Sequence, residues 1–499
     1  MTKRLLFLLL AGACVAAPIT VPVPAGVKIV PRVGERALRN SIDSVTDSPE
    51  FANGHWGVLV VDTRGDTLYS RNAGKLFMPA SNQKILTSAV AQSLLGPDYR
   101  YRTSFVAHGP IVGGVLQGDL GVVGRGDPSV SDHMRGDAMI PLRGIADSLA
   151  ARGVTRIRGK LVAEGNAFPD AVLGFGWSWS DLEDGYSAAT DELLFNEGFS
   201  EVVVHGGQRA GDSVRVATRP TKTWPRLRVS AATVAPAVAP ADTTLPRPPR
   251  PEITIRKDTL SGDVLVGGTI VAGDSATLVV THRDPGAAYL AALREALADR
   301  GITVGDEAIP GGAVADTVAT LVSPPLREIL PPFMKPSQNQ IGEMLFKTIG
   351  LERGGAGTAS RAREVVERQL LAWGASPSGF VVRDGSGLSR YDYVSPETVI
   401  RVLDAMRRDT AFSVYYDAMP VAAVDGTIRN RMRGTPAAGN VRAKTGSVAQ
   451  ARSLSGYVRA LSGDTLMFSI LANNWNVPAT RVTAAADSIA ARLASYRRR

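Results

Sequence analysis

The sequence has one cysteine and five histidines, and each scarcity removes a class of function. With Cys14 alone, the chain can form no internal disulfide and has no thiol catalyst in its body, so its stability has to come from packing. His55, His108, His133, His205 and His282 show no spacing at which two could share a metal, and no Gly-x-Ser-x-Gly elbow occurs. The glycines of 124–128 are not followed by Gly-Lys-Ser/Thr, which leaves them as turn residues rather than a phosphate loop; no cofactor is expected. The formal charge is +9, yet the arginines are scattered and no basic run is interleaved with aromatics, which argues against nucleic acid. Nowhere is there an apolar stretch long enough to span a bilayer stably, so no transmembrane helix is expected. Lysine is scarce too, at 10 of 56 basic residues.

What is present is an ordinary globular composition, 499 residues with 44% apolar and 21% charged, enough for two or three domains. Residues 1–17 have the charged, apolar and small-residue zones of a secretory signal, which predicts an exported protein of the periplasm or cell envelope. Ala11-Gly12-Ala13-Cys14 resembles a lipoprotein box with Cys14 as a possible lipid anchor, and cleavage after Ala16 fits equally. Beyond it, 33–48 reads as a short helix, and 55–62 as a buried strand with a hairpin partner at 67–70. From about 98 the texture turns to short β-like pieces separated by glycine, and prolines crowd 214–256. The Trp-rich stretch 176–182 is either a local aromatic core or a ligand-facing wall. The last third is helical, with a hairpin over 453–471 and a final helix over 479–496 whose Val482, Ala485, Ile489 and Leu493 share one side. The predicted division is 33–97 and 285–499 as two parts of one domain, with a β-rich insertion over 98–284 whose inner unit is about 128–200.

Ser81 and Lys84 stand three residues apart where Pro79 and small residues open an apolar, helix-spaced run, so they can share a helix face. A serine needs a base, and a desolvated lysine can serve where an arginine cannot. Two further pieces follow in order: Ser337-Gln338-Asn339 at a helix entrance, and Lys444-Thr445-Gly446-Ser447 before the C-terminal hairpin. Together they suit acyl transfer, with Ser81 attacking a carbonyl and Lys84 taking its proton. Ser337 can pass a proton to the departing amine, Lys444 keeps the neighbourhood positive, and Asn339 can anchor Lys84 and the substrate's amide. Thr445, with Lys444, suits a substrate carboxylate, and Gly446 would let the substrate backbone lie close to the strand. The N–H groups of Ser81 and Ser447 form the natural oxyanion pair.

This ordered triplet is the set found in penicillin-binding proteins and serine β-lactamases. The sequence resembles the D-alanyl-D-alanine carboxypeptidase/endopeptidases of the penicillin-binding protein 4 type, the class C low-molecular-mass penicillin-binding proteins of peptidase family S13. Segments 384–390, 420–427, 124–128 and 176–182 carry the likeness beyond the triplet, over nearly the whole mature chain. The resemblance implies an α/β (α+β) fold: a serine β-lactamase/transpeptidase-like domain, an antiparallel sheet flanked by helices, with two extra domains inserted. The 252 residues between Lys84 and Ser337 leave room for them. It also implies a serine-type D-Ala-D-Ala carboxypeptidase, and a DD-endopeptidase, acting on peptidoglycan stem peptides, with β-lactams as covalent inhibitors. Arg390 matches a position that recognises the stem-peptide side chain, assisted by an acidic residue of the insertion; the corresponding region reads Ala163-Glu164-Gly165-Asn166, where Glu164 reads equally well as an ordinary surface residue. The insertion is expected to shape access to Ser81. The alternatives are a serine β-lactamase, for which no deacylating base is identifiable, and a non-catalytic β-lactam sensor, which would not need both lysines.

Overall fold

The computed structural model describes residues 34–237, 250–258, 263–309 and 315–498. The leader with Cys14, and Pro240, Pro246, Pro248 and Pro249 of the proline-rich stretch, lie outside the described residues. A five-stranded antiparallel sheet organises the first part of the molecule, in the order Thr67–Arg71, His55–Asp62, Thr465–Asn473, Ala451–Arg459, Arg442–Val448. The predicted hairpins at 55–70 and 453–471 are therefore neighbours, and the two ends of the chain close one sheet.

Strand His55–Asp62 is buried on both faces because its alternate residues feed two cores. Val58 and Val60 join the cluster beneath the terminal helices Glu35–Thr46 and Ala479–Ala494, while Leu59 and Val61 join the one that contains the helix after Ser81. Each such valine or leucine contributes about 1.5–3 kcal/mol on burial. The final helix buries Val482, Ala485, Ile489 and Leu493, the side that the spacing marked. The serine helix, Gln83–Leu95, is buried all round over its first ten residues, as a helix at the centre of a layer must be. Helices Asn339–Gly354 and Pro396–Arg407 pack in the same cluster.

The inserted half leaves and returns through one pair of strands: Arg102–His108 lies antiparallel to Ala315–Val322, with Arg102 opposite Val322. Its packing differs from the predicted division in two ways. Helix Pro285–Asp299 and strand Ala315–Val322 do not pack with the serine helix; Tyr289, Leu293 and Val318 share a core with Phe105, Leu120 and Leu142. Nor is 128–200 a unit by itself, since Val130, Leu193 and Phe195 belong to that same core. The self-contained inner core is all β and comes from later residues, among them Val202, Val204, Val266 and Val280. Apolar spacing marks a buried face without naming its partner, which is why the boundaries shifted.

Candidate active site

Ser81 sits in a single 3-10 turn, Ala80–Asn82, that runs directly into the helix Gln83–Leu95. The turn is held in a costly conformation, because Ala80 has φ +49° without being glycine. Two distant segments press on it, and each does so through a glycine: a side chain at Gly387 would strike the Ala80 carbonyl, and one at Gly446 would strike the Pro79 carbonyl and Ser453. The side of Gly446 that a Cβ would occupy is thus filled by the chain's own atoms, which is a reason for that glycine besides the one expected.

The triplet residues converge. Lys84 is completely buried, with Nζ 2.9 Å from Ser81 Oγ, 2.6 Å from Asn339 Oδ1 and 2.7 Å from the Ser386 carbonyl oxygen. Lys444, equally buried, donates to Ser337 Oγ at 2.7 Å and to the Thr445 carbonyl at 2.9 Å. Ser337 has φ +69°, a second strained residue at the site. Asn82 Nδ2 donates to the Lys444 carbonyl at 2.8 Å, which locks the serine turn to the Lys444 strand. Asn339 begins helix Asn339–Gly354, capped by the Gln338 side chain, and its Nδ2 donates to the Tyr186 carbonyl at 2.7 Å, so the amide group expected to meet substrate already holds a partner from the insertion. Thr445 and Thr427 share a hydroxyl hydrogen bond of 2.7 Å.

Burial pushes Lys84 down to about 7, against the pull of Asp384, Glu343 and Asp392. Lys444 is held well below the usual lysine range, first by burial and then by Lys84. Desolvation is thus the leading cause at both lysines, with their mutual repulsion second to it. Behind Lys84, burial and Asp384 raise Glu343 to about 8, and burial, followed by Asp384, raises Asp392 well above the usual range.

A cavity of 510 Å³ opens over Ser81, lined also by Asp181, Tyr186, Ser337, Asn339, Arg390, Thr427, Thr445 and Ser447. Arg390 and Asp181 pair across it at 3.1 Å. Glu164 is elsewhere, bound to His108 at 2.6 Å; the acidic residue that the insertion brings to Arg390 is Asp181. Among the described residues, no three His, Cys, Asp or Glu side chains are placed to hold a metal, and no helix is long and apolar enough to cross a membrane.

A family model described as the D-Ala-D-Ala carboxypeptidase 3 (S13) family matches residues 38–496. The chain belongs to the S13 family. It is 36% identical over 479 residues to the D-alanyl-D-alanine carboxypeptidase of Actinomadura sp. strain R39, covering 92% of this chain and 85% of that one. It is 26% identical over 451 residues to the D-alanyl-D-alanine carboxypeptidase DacB of Haemophilus influenzae, covering 88% of each. The crystal structure of penicillin binding protein 4 (dacB) from Haemophilus influenzae matches the fold with a TM-score of 0.74 at 22% identity, over 91% of this chain and 98% of that one.

Several features of this S13 site lay outside the Ser81, Ser337 and Lys444 triplet. Asp181 stood inside the Trp-rich stretch and is its one residue on the cavity lining; Trp179 is 86% exposed and Trp177 donates to Asp384 Oδ2 at 2.9 Å. The Tyr186 and Ser386 carbonyls leave no signal in a sequence, because every residue has one. The buried acids Glu343, Asp384 and Asp392 could have been noticed only as charges on otherwise apolar or glycine-rich segments.

Proposed function

We propose that Ser81 is the nucleophile of a serine-type D-Ala-D-Ala carboxypeptidase and DD-endopeptidase that works through an acyl-enzyme on peptidoglycan stem peptides. One observation carries this reading, the set of partners around Lys84. Asn339 Oδ1 and the Ser386 carbonyl can only accept, so they take two N–H groups of a neutral amine. The lone pair that remains faces Ser81 Oγ, 2.9 Å away, and the pKa near 7 makes that neutral form available.

In the proposed cycle Lys84 takes the hydroxyl proton as Ser81 attacks, and the Ser81 and Ser447 N–H groups receive the oxyanion; losing one such donor costs about 2.7–4 kcal/mol of barrier. Ser337, fed by Lys444, returns a proton to the departing amine. Thr445 and Lys444 suit the free carboxylate, while Arg390 with Asp181 suits the polar side chain of the stem peptide. The chemistry needs no cofactor. β-Lactams acylate the same serine; the Haemophilus influenzae protein has also been crystallised in complex with a β-lactam, and that structure matches this fold with a TM-score of 0.69 at 21% identity. The leader-like start supports export to the periplasm or cell envelope, where the substrate lies.

The test uses a fluorescent penicillin and a D-Ala-D-Ala peptide on wild type and Ser81→Ala. Both label and peptide cleavage should vanish in the variant. Label that persists would remove Ser81 from this role, label without cleavage in the wild type would favour a sensor, and rapid penicillin turnover would favour a β-lactamase.

A further inference from the structure

Thr427 separates the Ser81 cavity from a neighbouring second cleft. Thr427 lines both, and the second, of 640 Å³, runs between helix Leu326–Met334 and the inserted half, whose His133 and Met134 form its far wall. Its position relative to the chemistry is set by two contacts and one separation. Thr427 Oγ1 is bonded to Thr445, the residue proposed to meet the carboxylate of the leaving group. The Thr427 N–H donates to the Lys335 carbonyl at 3.0 Å, two residues before Ser337, the proposed donor to the leaving amine. Arg390 and Asp181, proposed for the acyl side of the substrate, line the first cavity and not this cleft. The cleft therefore begins where the leaving group ends.

A carboxypeptidase substrate releases a single alanine, which does not fill a space of this size; volumes of about 300–1,000 Å³ suit much larger ligands. The charge of the cleft is selective as well. Lys335 is tied to Asp425. Arg429, exposed on the rim, has no side-chain partner among the described residues, and Glu328 is the one acid in the lining. A free guanidinium favours a ligand that carries carboxylates.

We infer that this cleft is the subsite for the leaving strand of a cross-linked stem peptide, with Arg429 receiving a carboxylate of that strand and His133 and Met134 bounding it from the insertion. The inference rests on the proposed peptidase function and deepens it: the same Ser81 chemistry becomes an endopeptidase because the leaving side is open. In the reaction the peptide C–N bond breaks, the acyl group stays on Ser81, and the amine takes its proton from Ser337 and departs along the cleft.

The experiment compares two substrates, a single stem peptide ending in D-Ala-D-Ala and a cross-linked stem-peptide dimer, on wild type, Arg429→Glu, Arg429→Lys and His133→Trp. In Arg429→Glu the KM for the dimer should rise about tenfold with kcat within about twofold, while kcat/KM for the single peptide stays within about twofold. Arg429→Lys should keep most of the dimer affinity. His133→Trp, which narrows the cleft from the other wall, should also raise the dimer KM alone. Equal losses on both substrates, an unchanged dimer KM in both Arg429→Glu and His133→Trp, or a wild type that cleaves the single peptide and never the dimer would each overturn the subsite. Failure of the underlying peptidase reading is separate, since it would appear as no penicillin labelling and no cleavage of either substrate.

Discussion

The two halves of the molecule meet at Ser81 with different kinds of atoms. The half built on the five-stranded sheet supplies side chains, Ser81, Lys84, Ser337, Asn339 and Lys444, with the lysines fully buried and Asn339 nearly so. The inserted half supplies main-chain carbonyls, from Tyr186 to Asn339 at 2.7 Å and from Gly185 to Gln340 at 2.9 Å, along with Trp177 on Asp384 and Asp181 on Arg390. It is fastened from below as well, by the Lys347–Asp170 pair at 2.6 Å and by Phe168 packed on Met344. The side chains proposed to change protonation all come from the sheet half, where the two lysines are shut off from water, and the insertion braces their neighbours. A carbonyl acceptor cannot lose its charge state, so it is a suitable brace for a residue next to a titrating lysine.

The largest effect that sharpens this contrast is expected from Lys84→Arg. Arginine keeps its charge and cannot accept the Ser81 proton, so penicillin acylation should fall by about 10²–10⁴-fold while folding, read by thermal melting, tolerates the similar volume poorly at most. Acylation close to wild type would end the assignment of Lys84 as base. Next comes the pH profile. Above about 7 the Lys84 amine is neutral and can take a proton; below it the ammonium cannot, so the acylation rate should drop about tenfold per pH unit on the acid side. A rate that is flat from pH 5 to 8 would contradict a base titrating near 7.

Trp177→Phe has the smallest expected effect and probes the other half. Asp384 keeps its bonds from the Gly387 and Ser389 N–H groups, at 2.7 Å each, after the indole N–H is gone. The loss should be about 1 kcal/mol of stability, measured by denaturant unfolding, with the midpoint of the acylation pH profile unchanged. A shifted midpoint would break the comparison, because it would mean that the insertion sets the state of Lys84 through Asp384 and the loop that carries Ser386.

The elements that the sequence revealed are those with a strong local period. The strand at 55–62 and the final helix appear where a short apolar run and helical spacing place them, and Pro79 with small residues marks the serine turn. Helix Pro285–Asp299 shows what a period leaves open, because Tyr289 and Leu293 would look the same against either core. In the site, the motif residues were readable because side-chain identity is their function. Asp181 was overlooked in favour of Glu164 because two acids at similar remove from Arg390 differ only in where the chain folds back.

By itself, then, the sequence determined the cast of the reaction: a serine with a lysine one helical turn away, a second serine with its asparagine, and a second lysine on a strand. Only the tertiary structure decided that these groups meet. The pKa of Lys84 is lowered by the desolvation that comes with complete burial, and no local pattern encodes the exclusion of water by residues hundreds of positions apart. The position of the Lys84 amine is decided the same way, by an amide oxygen and a carbonyl that arrive from two other elements.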